Sequence, residues 1–317
     1  MKYLGAIDVG GTKTMVGIVS PDAHILEKRH FATFNADSLA HFSNCYTHFN
    51  ECLSALGLTV HDLEGIGVNM PGMVDASSGV LLQAPFAGWY DIDVKGCFSR
   101  LFGMDKIFVE NDVNSCAVGE LIFGNACDNF LWVTVSTGIG GAFIVERKLV
   151  SGFNSCAGEI GHVKVEYEHP AQCCCGQWGC AEAQGSGTAI TRMFSAKVQE
   201  SRELSEMIAA KNLPVDAKTC SELAKEGNLA AIEVYHTAGK YIGRALSYAA
   251  NLMNPNKIYI GGGVSDSLEL LMPALREEFI RSTIAQCADI EIVKTALAYD
   301  AALLGAAALT RSADFSR

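Results

Sequence analysis

The sequence contains no uninterrupted apolar stretch of 18 or more residues, so no transmembrane helix is expected. No secretory leader is expected either. Met1-Lys2-Tyr3-Leu4 runs straight into an apparent strand, without a long apolar core or a small-residue cleavage site, and a cytoplasmic protein is expected. Positive charge is scarce: 24 Lys and Arg stand against 35 Asp and Glu, a formal net charge of -11. That balance argues against a nucleic-acid partner, whose phosphates draw clustered Lys and Arg. It also requires any anionic ligand to be held locally by backbone amides, helix N-termini or a metal ion. Proline is sparse, with 7 residues, and no Pro-rich or low-complexity segment divides the chain. Any hinge must therefore be structured.

Hydrophobic residues make up 49% of the 317, ample for a buried core and enough for two lobes. Cysteine is abundant, with 12 residues. Eight are scattered: Cys45, Cys52, Cys97, Cys116, Cys127, Cys156, Cys220 and Cys287. Most fall in apolar or helical contexts, where a reduced cysteine behaves as a small core residue. The other four, Cys173, Cys174, Cys175 and Cys180, crowd together, and in a cytosolic chain such clustering points to metal rather than to disulfide.

The apolar patterning predicts a buried strand over Tyr3 to Val9, then strands from Met15 to Ser20 and Ile25 to Phe34. A helix from Leu39 to Leu56, a strand from Gly65 to Asn69, a helix from Val94 to Phe102 and a strand from Lys106 to Val109 complete a first lobe. The pattern then restarts. Phe130 to Val135 and Gly141 to Glu146 read as a hairpin, and Ala230 to Met253 as one long helix stopped by Asn254-Pro255. Lys257 to Ile260 reads as a strand and Ala301 to Thr310 as a last helix. Strand, glycine turn, strand and helices thus occur twice, which predicts an α/β fold of two similar lobes facing a cleft. The expected division is an N-terminal lobe of residues 1–110, with a C-terminal helix of residues 299–317 packing back on it, and a C-terminal lobe of residues 111–298.

Five motifs carry chemistry. Asp8-Val9-Gly10-Gly11-Thr12-Lys13 follows a strand. Its glycines let backbone amides approach a phosphate, and Asp8 can hold magnesium beside it. The same residues also suit a tight hairpin with an acidic mouth. Ser136-Thr137-Gly138-Ile139-Gly140-Gly141 repeats the idea with hydroxyls and amides, and Gly261-Gly262-Gly263 would let a flat nucleoside lie against the backbone. Each turn alone is weak; three at strand ends are hard to explain by structure alone. In Val109-Glu110-Asn111-Asp112 a strand gives way to a helix, so the Asp112 carboxylate can accept the proton of an attacking hydroxyl. The alternative is a helix N-cap. The most specific motif is Gly158-Glu159-Ile160-Gly161-His162 followed by Cys173-Cys174-Cys175-Gly176-Gln177-Trp178-Gly179-Cys180-Ala181-Glu182. Cys173, Cys175, Cys180 and His162 form a closed ligand set that suits structural zinc. Cys174 is the spectator, and the alternative is a reduced loop without metal.

These motifs, over essentially the whole chain, resemble the ROK family (repressor, open reading frame, kinase). The resemblance implies an actin-like ATPase fold, of the ribonuclease H-like kind, with the active site between lobes. It implies an ATP-dependent sugar kinase that uses Mg2+, with Asp112 as catalytic base. Asn111, Glu159, His162 and Glu182, with Gly72 of the Met70-Pro71-Gly72 turn, are then ligands of the sugar. Asp8, Gly10, Gly11, Thr12, Lys13, Thr137, Gly138, Gly140, Gly262 and Gly263 line the ATP turns. His162 would serve zinc with one ring nitrogen while lying next to the sugar, a sensible sharing because the metal fixes the imidazole. Glu159 could instead be only a partner of the zinc site. A homodimer is common in the family.

One departure stands out. Many members carry Asn before the Gly-Trp pair, whereas this chain reads Ala84-Pro85-Phe86-Ala87-Gly88-Trp89, which leaves sugar specificity open. The expected activity is phosphorylation of a glucose-like hexose at the 6-hydroxyl. Kinases of N-acetylmannosamine, N-acetylglucosamine or fructose are the alternatives. A sugar-responsive regulator would carry a helix-turn-helix domain ahead of the first turn, and Asp8 is the eighth residue. A catalytically silent sensor would be expected to lose Asp112 or a phosphate turn, and all are present.

Overall fold

The computed structural model describes residues 2–33 and 37–311, with only the backbone of Phe86. Phe34, where the third strand was expected to end, and residues 312–317 of the expected C-terminal helix lie outside the described residues. The chain divides into two compact units: residues 1–132, 142–158 and 295–317 form the first, and residues 133–141 and 159–294 the second.

The first unit is built on a five-stranded sheet of order β3-β2-β1-β4-β8. Its strands are β1 (Tyr3–Val9), β2 (Lys13–Val19), β3 (Ile25–Ala32), β4 (Leu63–Met70) and β8 (Ile107–Asn111). β1, β2 and β3 form an antiparallel meander, while β4 and β8 join parallel to β1. The crossovers that parallel pairing demands are α1 (Ser38–Ala55) and α2 (Val94–Phe102). Asp37 caps α1 and Asp93 caps α2. Between α1 and α2 lies a small antiparallel sheet of β5 (Met73–Asp75), β6 (Val80–Ala84) and β7 (Trp89–Asp93). One face of the large sheet buries Ile7, Val9, Val16, Ile66 and Val68 with Phe42, Phe49 and Phe98 from the helices. The other face is covered by α10 (Ala301–Leu309), whose Leu303, Ala306 and Ala307 pack with Leu4, Ala6 and Val19.

The second five-stranded sheet repeats the pattern in the order β11-β10-β9-β12-β13. It contains β9 (Phe130–Val135), β10 (Ile139–Val145), β11 (Lys148–Leu149), β12 (Lys257–Gly261) and β13 (Glu291–Lys294). The helices of the second unit are α4 (Ala181–Gly185), α5 (Gly187–Glu200), α6 (Arg202–Ala210), α7 (Ala217–Lys225), α8 (Leu229–Met253) and α9 (Leu268–Ser282). α8 ends on Asn254, which takes the left-handed conformation at φ 43° before Pro255. No helix among the described residues is long and apolar enough to cross a membrane.

Candidate functional site

In the first unit, parallel pairing brings the C-terminal ends of three strands together. Asp8 pairs with Asn69, Asn69 with Glu110, and Met70 with Asn111. α3 (Asp112–Phe123) starts immediately after β8. Asn69 Nδ2 donates to Asp8 Oδ1 at 3.2 Å and to the carbonyl of Ala302 at 2.7 Å. Asp8 is 8% exposed. Burial, and after it the charge of Asp112, push its carboxyl up to about 7, against the Asn69 hydrogen bond and the charge of Lys13. Two carboxylates held this way favour a shared cation, and oxygen donors are what Mg2+ takes.

The turn after β1 is tight. A Cβ on Gly10 would stand 2.6 Å from the Lys13 carbonyl oxygen, to which Gly10 donates its own N–H at 3.1 Å. Gly11 and Thr12 are exposed at its tip. The Thr33 hydroxyl donates to the Gly10 carbonyl at 2.7 Å, and the Thr33 N–H to the Thr12 carbonyl at 3.0 Å. Lys13 lies over the ring of Tyr299 and donates to its hydroxyl at 3.1 Å.

Asp112 is not the cap of α3. The N-cap of α3 is Asn111, whose Oδ1 accepts from Val113 N at 2.9 Å and Asn114 N at 3.1 Å. Asp112 is the first helical residue and accepts from Val113 N at 2.9 Å. The Asn111 Nδ2 donates to the Gly72 carbonyl at 2.9 Å, so these two sequence candidates meet each other. Gly72 is obligatory at φ 101°, because a Cβ would lie 2.3 Å from the Gln83 oxygen. Glu110, not singled out from the sequence, is buried and accepts from Asn111 N at 2.8 Å and Asn114 Nδ2 at 3.1 Å. Burial raises its carboxyl despite those bonds. Asn69 was also missed. Both lie beside motif residues, at strand ends that the sequence reading had already placed.

In the second unit the turn between β9 and β10 is closed by the Ser136 N–H on the Gly138 carbonyl at 2.9 Å. Glu182 reaches this turn: its Oε2 accepts from Ile139 N at 3.0 Å, and a Cβ on Gly138 would stand 2.3 Å from that oxygen. Its Oε1 accepts from Cys174 Sγ at 3.0 Å. Gly140 lies within β10. A cavity of about 670 Å3 opens beside the turn. Its walls include Ser136, Thr137, Thr188, Asp216, Lys218, Glu222, Tyr235, Gly263 and Val264, with the N-termini of α5 and α7 at Gly187 and Ala217. A Cβ on Gly263 would meet nothing within 4 Å, whereas Gly262, at φ 84°, would carry one into the Val135 carbonyl. The α7 wall, Asp216 to Lys225, was not among the sequence candidates.

The metal candidates converge. Ligand atoms of His162, Cys173, Cys175 and Cys180 all lie within 4.8 Å of one another. Cys175 and Cys180 sulfurs are 3.8 Å apart, the separation that tetrahedral Zn–S bonds of about 2.3 Å require. His162 turns Nδ1 to Cys173 Sγ at 3.7 Å and Nε2 to Glu159 Oε2 at 3.7 Å. The residues therefore fit zinc. Cys174 is exposed and outside this quartet, although it forms a second grouping with Cys173 and Glu182.

With this geometry in hand, comparison with known proteins is specific. Residues 4–313 match the ROK family. The chain is 31% identical over 319 residues to the glucokinase of Halalkalibacterium halodurans, covering 99% of this chain and 96% of that one. It is 28% identical over 248 residues to the xylose repressor of Bacillus subtilis, covering 77% of this chain and 60% of the repressor. The crystal structure of a ROK family glucokinase from Streptomyces griseus, in complex with glucose and AMPPNP, matches at TM-score 0.82 and 29% identity, over 98% of this chain and 99% of that one. The fold is the actin-like ATPase fold of such sugar kinases. This chain belongs to the ROK family.

Proposed function

We propose that the chain is an ATP-dependent hexose kinase that phosphorylates a glucose-like sugar on its 6-hydroxyl. The observation that carries this reading is the carboxylate pair of the first unit. Asp8 stands one residue before the end of β1, beside a glycine turn, and Asp112 opens α3 close enough for its charge to raise the Asp8 carboxyl. Phosphoryl transfer is mainly positioning and charge neutralisation. Asp112 takes the proton of the attacking hydroxyl, with its carboxylate oriented by the Val113 N–H. Glu110 braces Asn111, and Asn111 braces the α3 N-terminus and the Gly72 turn. Asp8 and the Gly10 to Lys13 turn receive the phosphates; bound Mg2+ would neutralise the charge that develops on them. The second-unit cavity takes the nucleoside, with Thr137 in its wall, Gly138 in the adjoining turn and Gly263 leaving room against the backbone.

Glu159, His162 and Glu182 read sugar hydroxyls, and zinc, when bound, would fix the His162 ring. The Ile139 N–H and Cys174 contacts of Glu182 tie the sugar-reading loop to the phosphate turn of the same unit. His162, Cys173, Cys175 and Cys180 would hold zinc, which would staple that loop. A homodimer in the cytoplasm belongs to the same reading.

The test is turnover of a sugar panel with ATP, read by ADP release. Glucose is expected to be the best substrate. N-acetylmannosamine, N-acetylglucosamine or fructose in first place would reassign the sugar but keep the kinase. Asp112→Asn preserves the shape and should lower kcat by roughly 100-fold or more with the fold intact. Near-normal turnover in that variant would remove Asp112 from the chemistry. The match to sugar-responsive repressors favours one second reading, a regulator. Sugar binding without ADP release for any member of the panel would select it.

A further inference from the structure

We infer that Lys164 is a positioning residue for the zinc loop, supplying the positive charge that holds the thiolate cluster together. The argument begins in the backbone. Lys164 and Cys180 face each other across an isolated antiparallel bridge. That bridge is flanked by Val165 N on the Gly179 carbonyl at 2.8 Å and Ala181 N on the Val163 carbonyl at 2.9 Å. Residues directly opposite in an antiparallel pair send their side chains to the same face. Lys164 therefore starts beside Cys180 whatever rotamer it takes, and its Nζ lies 3.2 Å from Cys180 Sγ. The segment is pinned from α8, where the Tyr248 hydroxyl donates to the Lys164 carbonyl at 3.2 Å and Arg244 to the Val165 carbonyl.

The charge around the loop shows what this ammonium does. Three cysteine thiolates and one divalent zinc ion leave a net negative charge. Glu159 stands 3.7 Å from His162 Nε2, and Glu182 Oε1 stands 3.6 Å from Cys173 Sγ, which adds to that charge. Lys164 offsets it at the sulfur it touches, and a hydrogen bond to a charged acceptor is the stronger kind. Groups that contact metal ligands commonly set metal affinity by roughly 10- to 100-fold. Nothing in the Cys-x-Cys-Gly-x-x-Gly-Cys spacing contains this residue, which lies nine positions before Cys173.

The inference rests on the zinc reading, and the experiment separates the two. Zinc is first quantified in the purified wild-type protein by elemental analysis. Its transfer to the chromophoric chelator 4-(2-pyridylazo)resorcinol is then timed for wild type, Lys164→Met and Lys164→Arg. Lys164→Met keeps the aliphatic stem and removes the charge, and it should release zinc roughly tenfold faster or more. Lys164→Arg should stay close to wild type. If Lys164→Met does not fold, Lys164→Gln takes its place. Absence of zinc from the wild type would sink the zinc reading and this inference with it. Zinc present, but released at the same rate by wild type and Lys164→Met, would overturn this inference alone. Equal acceleration in the Met and Arg variants would also overturn it, because stem packing rather than charge would then be responsible.

Discussion

At neutral pH Asp8 sits close to its own midpoint, because burial and the neighbouring charge of Asp112 push its carboxyl up to about 7. The ordinary value of 3.8 applies once the chain unfolds. A raised carboxyl stabilises the fold fully below the unfolded value, and that contribution is lost as pH rises through about 7. Ionised Asp8 therefore costs the folded protein at pH 8, on the order of 2–4 kcal/mol, as functional carboxylates often do. Asp8→Asn should raise the melting temperature at pH 8 relative to wild type, converge with it toward pH 4, and abolish ATP turnover. Calorimetry of the two proteins at both pH values checks this; identical pH dependence would show that Asp8 is not under this strain. The places of Asp8 near a strand end and of Asp112 at a helix start were legible, because a strand pattern precedes each and a turn or helix signal adjoins it. Asn69 was not, since its partner Asp8 lies 61 residues away and strand register is not written in local spacing. Asn111, a sugar ligand in the proposed reading, is positioned for that role by the helix start and by Gly72.

Among elements, α1 does more than cover the sheet. Its His41 is fully buried beside Phe31 and Trp89, with ring centroids 5.7 Å from each. Its Nε2 lies 3.0 Å from Thr14 Oγ1, which lies 2.9 Å from Thr33 Oγ1, whose hydroxyl donates to the Gly10 carbonyl. A chain of side chains thus runs from a helix interior to the phosphate turn. Burial pulls His41 down to about 4 from 6.5. A depressed histidine leaves stability intact above the unfolded value and removes it as pH falls from about 6.5 toward about 4, by up to ~1.4 kcal/mol per pH unit. His41→Gln keeps a polar group for Thr14 and should flatten this acid limb when melting temperatures at pH 7 and 4.5 are compared with wild type. The Asp8 contribution runs in the opposite direction over part of the same range, so each variant must be read as a difference from wild type. An acid limb unchanged in His41→Gln would place the titrating group elsewhere.

The long apolar elements were legible from the sequence. α2 and β9 fall on their expected bounds, and α8 begins one residue early and stops at Asn254. β5, β6 and β7 are too short for alternation to declare itself. α9 carries Pro273 inside it, a residue that sequence rules take as a stop. The α7 wall of the cavity went unread because its charged residues look like an ordinary solvated face.

At the scale of the whole molecule, the first unit is assembled from three separate stretches of chain. The described part of the last stretch, residues 295–311, is structural rather than a tail. Glu120 in α3 is fully buried, takes the Ala296 N–H at 3.0 Å, and is bonded by the Thr295 hydroxyl. α10 then lies against α3 and β4 at backbone distance: a Cβ on Gly119 would stand 2.9 Å from the Gly305 Cα, and one on Gly67 would stand 1.8 Å from the Ala306 oxygen. Such approaches leave no room for repacking. They also make the unit dependent on contacts between residues 186 and 239 apart, whose loop-closure entropy must be met before the contacts form. Removing residues 295–317 would uncover Leu4, Ala6 and Val19 and delete buried Leu303, Leu304 and their alanine neighbours. At about 1.5–3 kcal/mol for each large side chain, that loss approaches a typical total stability of about 5–15 kcal/mol. The chain cut after Lys294 should therefore fail to show a cooperative transition for the first unit. Because a truncation can simply be lost on expression, Gly67→Ala serves as the graded version and should lower the melting temperature by several degrees while leaving zinc content unchanged. A truncated chain that melts cooperatively near the full-length temperature, or a Gly67→Ala protein as stable as wild type, would show that α10 is not required for the first unit.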